Sequence, residues 1–210
     1  MFLENPKSSE PKKGWIEVIS GSMFSGKTEE LIRRLKRAKI AQQKVEIFKP
    51  RVDTRFDETK IVSHDANQIP STPVPLSSSL LLLTQNVEVV GIDEAQFFDD
   101  ELPNVCTTLA NSGIRVIVAG LDMDYLGNPF GPMPKLLAIG DYVTKVHAIC
   151  MHCGDLAHHS YRTVQDDTLI VLGEKESYIP LCRSCYNKAM ERNIQGSRFK
   201  VQGSRFKVQG

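Results

Sequence analysis

Gly21-Ser22-Met23-Phe24-Ser25-Gly26-Lys27-Thr28 satisfies the pattern G-x-x-x-x-G-K-[ST] at every position, and nothing else in the chain restricts its fold so tightly. Glycines at that spacing let the backbone curl until successive N–H groups aim at one anion. A lysine in this place reaches β- and γ-phosphates, and the hydroxyl of the next residue suits Mg²⁺. From average residue usage the pattern arises by accident in ~1 chain in 100 of this length, so its setting matters. Residues 15–20 (Trp-Ile-Glu-Val-Ile-Ser) read as a buried strand, and Leu31, Ile32, Leu35 and Ala38 recur at helical spacing over about 27–41. A strand before and a helix after are what a phosphate loop requires, because the helix adds its positive end to the anion site. The motif therefore predicts an ATP site rather than an incidental glycine-rich turn.

Further strands are expected at 44–49, 87–92 and 114–119, with a helical stretch near 98–111. Near-continuous apolar strands separated by helices imply a parallel sheet covered on both faces. The expected architecture is an α/β fold of the P-loop NTPase kind, RecA-like. Pro50, Pro70, Pro73 and Pro75 among many polar residues predict loops and a short strand over 50–79. Leu80–Leu83, flanked by serines and Thr84, read as part of a packed helix. From about Cys150 the chain turns to cysteine, histidine and short polar segments. The expected division is a flexible lead (1–13), a nucleotide-binding kinase domain (14–149), a small zinc-binding domain (150–190) and a disordered tail (191–210). That tail repeats Ser197-Arg198-Phe199-Lys200-Val201-Gln202-Gly203 at 204–210, and two copies are too few for a solenoid.

A net charge of +1 gives no reason to expect nucleic acid or an anionic membrane as partner. No apolar run approaches the ~20 residues of a membrane span, and the polar first 13 residues lack the apolar centre of a secretion signal. A cytoplasmic protein is expected.

Asp93 and Glu94 follow the third strand. A carboxylate at the end of an apolar strand is where a P-loop enzyme makes its second Mg²⁺ contact, which suits Asp93. Glu94 is then placed to take a proton from an attacking hydroxyl or to polarise a water. The residues to this point do not separate a kinase from an ATPase.

Of the five cysteines, four form the pairs Cys150/Cys153 and Cys182/Cys185, separated by 28 residues. Two such turns offer four thiolates to one tetrahedral Zn²⁺, with a long loop pinned between them. His147, His152, His158 and His159 are expected to be bystanders, and Cys106 a small buried hydrophobe.

These pieces in this order resemble the type II thymidine kinases from about residue 15 to 188. The resemblance is carried by the phosphate loop, Lys49-Pro50, Asp53-Thr54-Arg55-Phe56, Ser63-His64-Asp65 and Gly91-Ile92-Asp93-Glu94-Ala95-Gln96-Phe97-Phe98. Gly120-Leu121-Asp122, Pro129-Phe130-Gly131, Tyr178 and the cysteine pairs complete it. It implies transfer of the ATP γ-phosphoryl group to the 5′-hydroxyl of thymidine. It implies Glu94 as proton acceptor and Arg55 as the group that steadies the transferring phosphoryl. Asp93 and Gln96 fall on the ATP–Mg²⁺ side. Asp53, Phe97, Leu121, Tyr125, Phe130 and Arg162 fall around the nucleoside, with Met23 beside the ring. A "lasso" over about 162–181 would close over the nucleoside through Val171, Leu172, Gly173 and Tyr178. A homotetramer and feedback by thymidine triphosphate (dTTP) are implied as well. Tyr125, Ala66 and Glu174 depart from the family's usual phenylalanine, glycine and glycine.

Two other readings compete. One is a P-loop ATPase using a zinc ribbon to bind DNA or a partner protein, against which the absence of a basic stripe argues. The other is a nucleotide-sensing scaffold, against which the intact Lys27, Thr28, Asp93 and Glu94 argue.

Overall fold

The computed structural model describes residues 14–51, 60–62, 68–164 and 177–192. The chain runs through β1 (Trp15–Ser20), α1 (Lys27–Ile40), β2 (Val45–Pro50), β3 (Lys60–Val62), β4 (Gln68–Pro70), β5 (Thr72–Val74) and α2 (Ser79–Leu83). It continues through β6 (Val89–Ile92), a 3₁₀ turn (Ala95–Phe97), α3 (Leu102–Asn111), β7 (Arg115–Gly120), α4 (Met133–Ile139) and β8 (Tyr142–Lys145). Six of these strands form one sheet in the order β5-β2-β6-β7-β1-β8, parallel throughout. The four strands expected from sequence are β1, β2, β6 and β7.

Side-chain alternation divides the core in two. Ile16, Val18, Phe48, Val90, Ile92, Val116 and Val118 meet α3 and α4 on one face. Ile19, Ile47, Val89, Ile117 and Ala119 meet Leu31, Ile32, Leu35 and Ala38 of α1 on the other. Each fully buried Leu or Ile contributes about 1.5–3 kcal/mol, so both faces must be covered for the sheet to persist. Acidic Glu29 and Glu30 in the first turn of α1, and Arg37 and Lys39 in its last, match the helix dipole. Cys106 is fully buried on α3, as expected.

Three expectations change. Among the described residues the 50–79 region holds three short strands, and β5 extends the sheet beyond β2. Pro73 is tolerated there because an edge strand has one unpaired side. Only Leu80 of the leucine run is buried, whereas Leu81, Leu82 and Leu83 are 40%, 76% and 49% exposed. At about 100° per residue, four consecutive helical residues point around the whole axis, so one short turn cannot bury them all. Finally, α4 and β8 fall between the fourth expected strand and Cys150, where the sequence suggests no element.

A small module follows: β9 (Ala148–Ile149) pairs antiparallel with β10 (Leu156–Ala157), β11 (His159–Arg162) pairs antiparallel with β12 (Tyr178–Leu181), and a helix runs over 183–192. Its core is Ala148, Cys150, Ala157, Leu181, Cys182 and Tyr186. The tail repeat and the lead lie outside the described residues. Among the described residues no helix is long and apolar enough to cross a membrane.

One charge interrupts the apolar logic of β1. Glu17 is fully buried and accepts from Arg115 Nε and Arg34 Nη1, each at 2.7 Å, and from Trp15 Nε1 at 2.8 Å. Arg34 and Arg115 are themselves buried, so the carboxylate ties α1, β1 and β7 through two desolvated guanidinium groups. Removing it takes the carboxylate from buried Arg115 and leaves buried Arg34 with Glu30 to offset its charge. Glu17→Ala is expected to lower unfolding free energy by about 3–5 kcal/mol, read from denaturant melts. A loss under about 1 kcal/mol would show that the cluster contributes no net stability.

Candidate active site

The parallel register sets the site. Ser20 at the end of β1 pairs with Gly120 at the end of β7, and Ile92 at the end of β6 pairs with Val118. The phosphate loop, the Asp93-Glu94 pair and Leu121-Asp122 therefore leave the sheet at one edge. Ligands of open α/β sheets bind there.

Within the loop, Gly26 sits at φ 83°, ψ 22°, a left-handed conformation open to glycine at no steric cost. Ser25 Oγ donates to the Ser22 carbonyl at 2.7 Å, and Lys27 Nζ donates to the same carbonyl at 2.8 Å. Gly21, Ser22, Met23 and Phe24 complete the turn, with Phe24 also at positive φ. Burial lowers the Lys27 pKa from its usual value, opposed by the charges of Glu94, Asp93, Asp122 and Glu29. That ring of acids keeps a cation favourable where phosphates would lie.

Thr28 and Asp93, 65 residues apart, are brought together: Thr28 Oγ1 donates to Asp93 Oδ2 at 3.2 Å. Both are hard oxygen donors, the chemistry Mg²⁺ selects. Burial, and next the Glu94 charge, push the Asp93 carboxyl up to about 7, against the Glu94 N–H, Lys27 and Thr28. A group raised this way wants a cation, so the pair fits the metal.

Glu94 occupies φ 52°, ψ 41°, left-handed backbone that costs a non-glycine residue about 1–3 kcal/mol. Its N–H donates to Asp93 Oδ1 at 3.0 Å, and its carboxylate accepts from Gln96 Nε2. Gln96 is buried, and its Oε1 accepts the Leu121 N–H at 2.9 Å. The expected ATP–Mg²⁺ contact thus has its amide engaged by Glu94 and the end of β7.

The expected nucleoside residues fall into two groups. Phe97 and Phe130 pack edge to face, ring centroids 5.5 Å apart. The Arg162 guanidinium lies 3.6 Å from the Tyr125 ring centroid, and its Nε and Nη2 donate to Tyr178 Oη at 3.1 and 2.9 Å. Arg162 and Tyr178 are cross-strand partners on β11 and β12. Asp53, Arg55, Val171, Leu172 and Gly173 lie outside the described residues, as do Ala66 and Glu174.

Sequence reasoning missed three contributors. Ser160 Oγ accepts the Met23 N–H at 2.9 Å, so the cysteine-rich module touches the phosphate loop. Lys145 of β8 pairs with buried Asp122 at 2.7 Å. Tyr186 donates from Oη to the Tyr125 carbonyl at 2.8 Å and stacks on His159 at 4.4 Å. The first and third bridge long separations that no local pattern signals, while Asp122 was visible within its motif.

Among the described residues, the four thiols of Cys150, Cys153, Cys182 and Cys185 lie within 4.8 Å of one another. A tetrahedral Zn²⁺ with ~2.3 Å bonds needs sulfurs about 3.8 Å apart, so the donor set fits. Against the cost of burial, the amides of Cys182, His152 and Cys153 draw the Cys150 thiol down to about 6. His147 and His158 pair with each other at 3.0 Å, apart from the thiols, while His152 Nδ1 lies 3.7 Å from Cys185 Sγ.

A family model described as thymidine kinase matches residues 14–186. The chain is 63% identical over 189 residues to a thymidine kinase of Bacteroides thetaiotaomicron, covering 90% of this chain and 95% of that protein. Its identity to a thymidine kinase of Bacteroides fragilis is 59% over 197 residues, covering 94% and 99%. For one of Porphyromonas gingivalis it is 61% over 186 residues, covering 89% and 91%.

The raised Asp93 pKa carries a sign. In the metal-free protein its contribution to folding is fully present below the unfolded value and is lost as pH rises through about 7. A Mg²⁺–nucleotide held at Asp93 would have to expel that proton, so its affinity should fall by up to about tenfold per pH unit below 7. Calorimetry at pH 6 in buffers of differing ionisation heat should show proton release that Asp93→Asn lacks. Equal release from both proteins would clear Asp93 of the effect.

Proposed function

The chain belongs to the thymidine kinase family, and from that premise we propose that it transfers the γ-phosphoryl group of ATP to the 5′-hydroxyl of thymidine, giving dTMP and ADP. One observation carries the reading: Thr28, Asp93 and Glu94 converge at the head of the phosphate-loop helix, two hard oxygen donors with a carboxylate one residue on. The backbone amides of 21–28 and Lys27 would cradle the triphosphate. Mg²⁺ held between Thr28 and Asp93 would neutralise charge on the β- and γ-oxygens. Glu94 would accept the proton as the 5′-oxygen attacks phosphorus in line, and Arg55 would steady the transferring phosphoryl.

Thymine is flat and neutral, so an aromatic slot suits it. Phe97, Phe130, Tyr125 and Leu121 would supply the slot, with the lasso over 162–181 closing it. A methyl-sized pocket discriminates by only ~1–3 kcal/mol, so deoxyuridine should be a weaker substrate rather than a rejected one. Zn²⁺ on the four cysteines would pin both ends of the lasso. The same reading includes a homotetramer in the cytoplasm that dTTP inhibits as end product.

Pure protein with Mg-ATP and each of four deoxynucleosides tests the proposal. Phosphorylated thymidine supports it; ATP hydrolysis without an acceptor would instead mark an ATPase. Glu94→Gln should bind ATP normally and lose ~10²–10⁴-fold in turnover. Near-normal turnover would remove Glu94 from the chemistry. Cys182→Ser should lose bound zinc, measured by elemental analysis, and thymidine affinity with it. Zinc-free protein that still binds thymidine as tightly would break the link between metal and lasso.

A further inference from the structure

We propose that Gln96 is the positioning residue of the base, fixing the Glu94 carboxylate for proton abstraction instead of serving as a contact to Mg²⁺–ATP. The inference rests on the reading of Glu94 as proton acceptor.

The argument starts from the amide's two unlike ends. A backbone N–H can only donate, and the Leu121 N–H meets one end of the Gln96 amide at 2.9 Å. That end must be the oxygen. The NH₂ end is then forced toward Glu94, where it donates to Oε2. An NH₂ group only donates, and the Glu94 carboxylate is the acceptor it meets. One oxygen of Glu94 is engaged, and the other is left for the substrate's proton.

The surroundings make the arrangement stiff. Gln96 is 2% exposed. Gly131, at φ 49°, packs so closely that a Cβ there would lie 2.3 Å from the Gln96 carbonyl oxygen. A Cβ on Gly120 would lie 2.9 Å from Gln96 Oε1. Glu94 by contrast is exposed, with three rotatable side-chain bonds on left-handed backbone. A long exposed side chain needs an outside anchor to keep its reactive oxygen within a few tenths of an ångström. Gln96 supplies it, and the same amide ends on Leu121, which the resemblance puts at the thymine ring. The base and the wall of the acceptor pocket thus share one hydrogen-bonded chain.

The two roles separate in kinetics. Gln96→Met keeps the volume and loses both hydrogen bonds; Gln96→Glu keeps an acceptor for the Leu121 N–H and loses the donor to Glu94. Each is assayed for kcat, for KM of Mg-ATP and thymidine, and for binding of Mg²⁺ with a non-hydrolysable ATP analogue, alongside its melting temperature. Misplacing a reacting group by about 1 Å costs ~10²-fold, so kcat should drop by that order in both variants. Analogue affinity should stay within about twofold, since a residue that only orients the base leaves uniform binding untouched. Adding Gln96→Met to Glu94→Gln should cause almost no further loss, because the anchored group is already disabled. Tenfold weaker analogue binding with kcat retained would make Gln96 a nucleotide or metal contact and overturn the proposal. So would full additivity in the double variant, or a kcat within threefold of the parent. If Gln96→Met does not fold, Gln96→Glu decides. Failure of the base reading itself is separately visible, as near-normal turnover in Glu94→Gln alone.

Discussion

The parallel pairing of β6, β7 and β1 is the constraint from which everything else in this molecule follows. Ser20 faces Gly120 and Ile92 faces Val118 across the ladder. Three chain segments far apart in sequence therefore emerge side by side. The first is the glycine-bounded loop, the second carries two acids and the third presents Leu121 and Asp122. None of the three is a site alone. The buried Glu17 with its two guanidinium partners locks β1, β7 and α1 at the opposite end of the same strands. The functional edge is thus held by apolar packing on both faces and by charge beneath.

Much of this was legible in residues alone. The phosphate loop announces itself because its chemistry demands fixed types at fixed spacing. The helix α1 was readable because Leu31, Ile32, Leu35 and Ala38 share a face, and β1, β2, β6 and β7 because strands covered on both sides are apolar throughout. What escaped notice did so for physical reasons. The edge strand β8 is largely exposed and carries no apolar run. Met133 and Leu136 are too few to mark α4 by periodicity. The leucine run does lie in a helix, but composition says nothing of which way a single turn faces, and only Leu80 reaches the core. Ser160 gives no signal, since its meaning comes from an amide 137 residues away.

The cysteine-rich module is less separate from the kinase core than the change of composition at Cys150 suggests. Along β11, Ser160 meets the phosphate loop, and two residues later Arg162 lies against Tyr125 and Tyr178. Tyr186, from the helix that follows the second cysteine pair, reaches back to the Tyr125 carbonyl. One short strand thus spans the gap between the phosphate side and the aromatic side. The hydrogen bond from the phosphate loop to Ser160 and the pairing of Arg162 with Tyr178 thus give that strand two fixed points.

The left-handed backbone at Glu94 has an implication for the protein's engineering. Glycine at that position would relieve the torsional penalty and leave the turn intact. A library screened only for heat resistance would therefore accumulate Glu94→Gly, a sturdier molecule without that carboxylate.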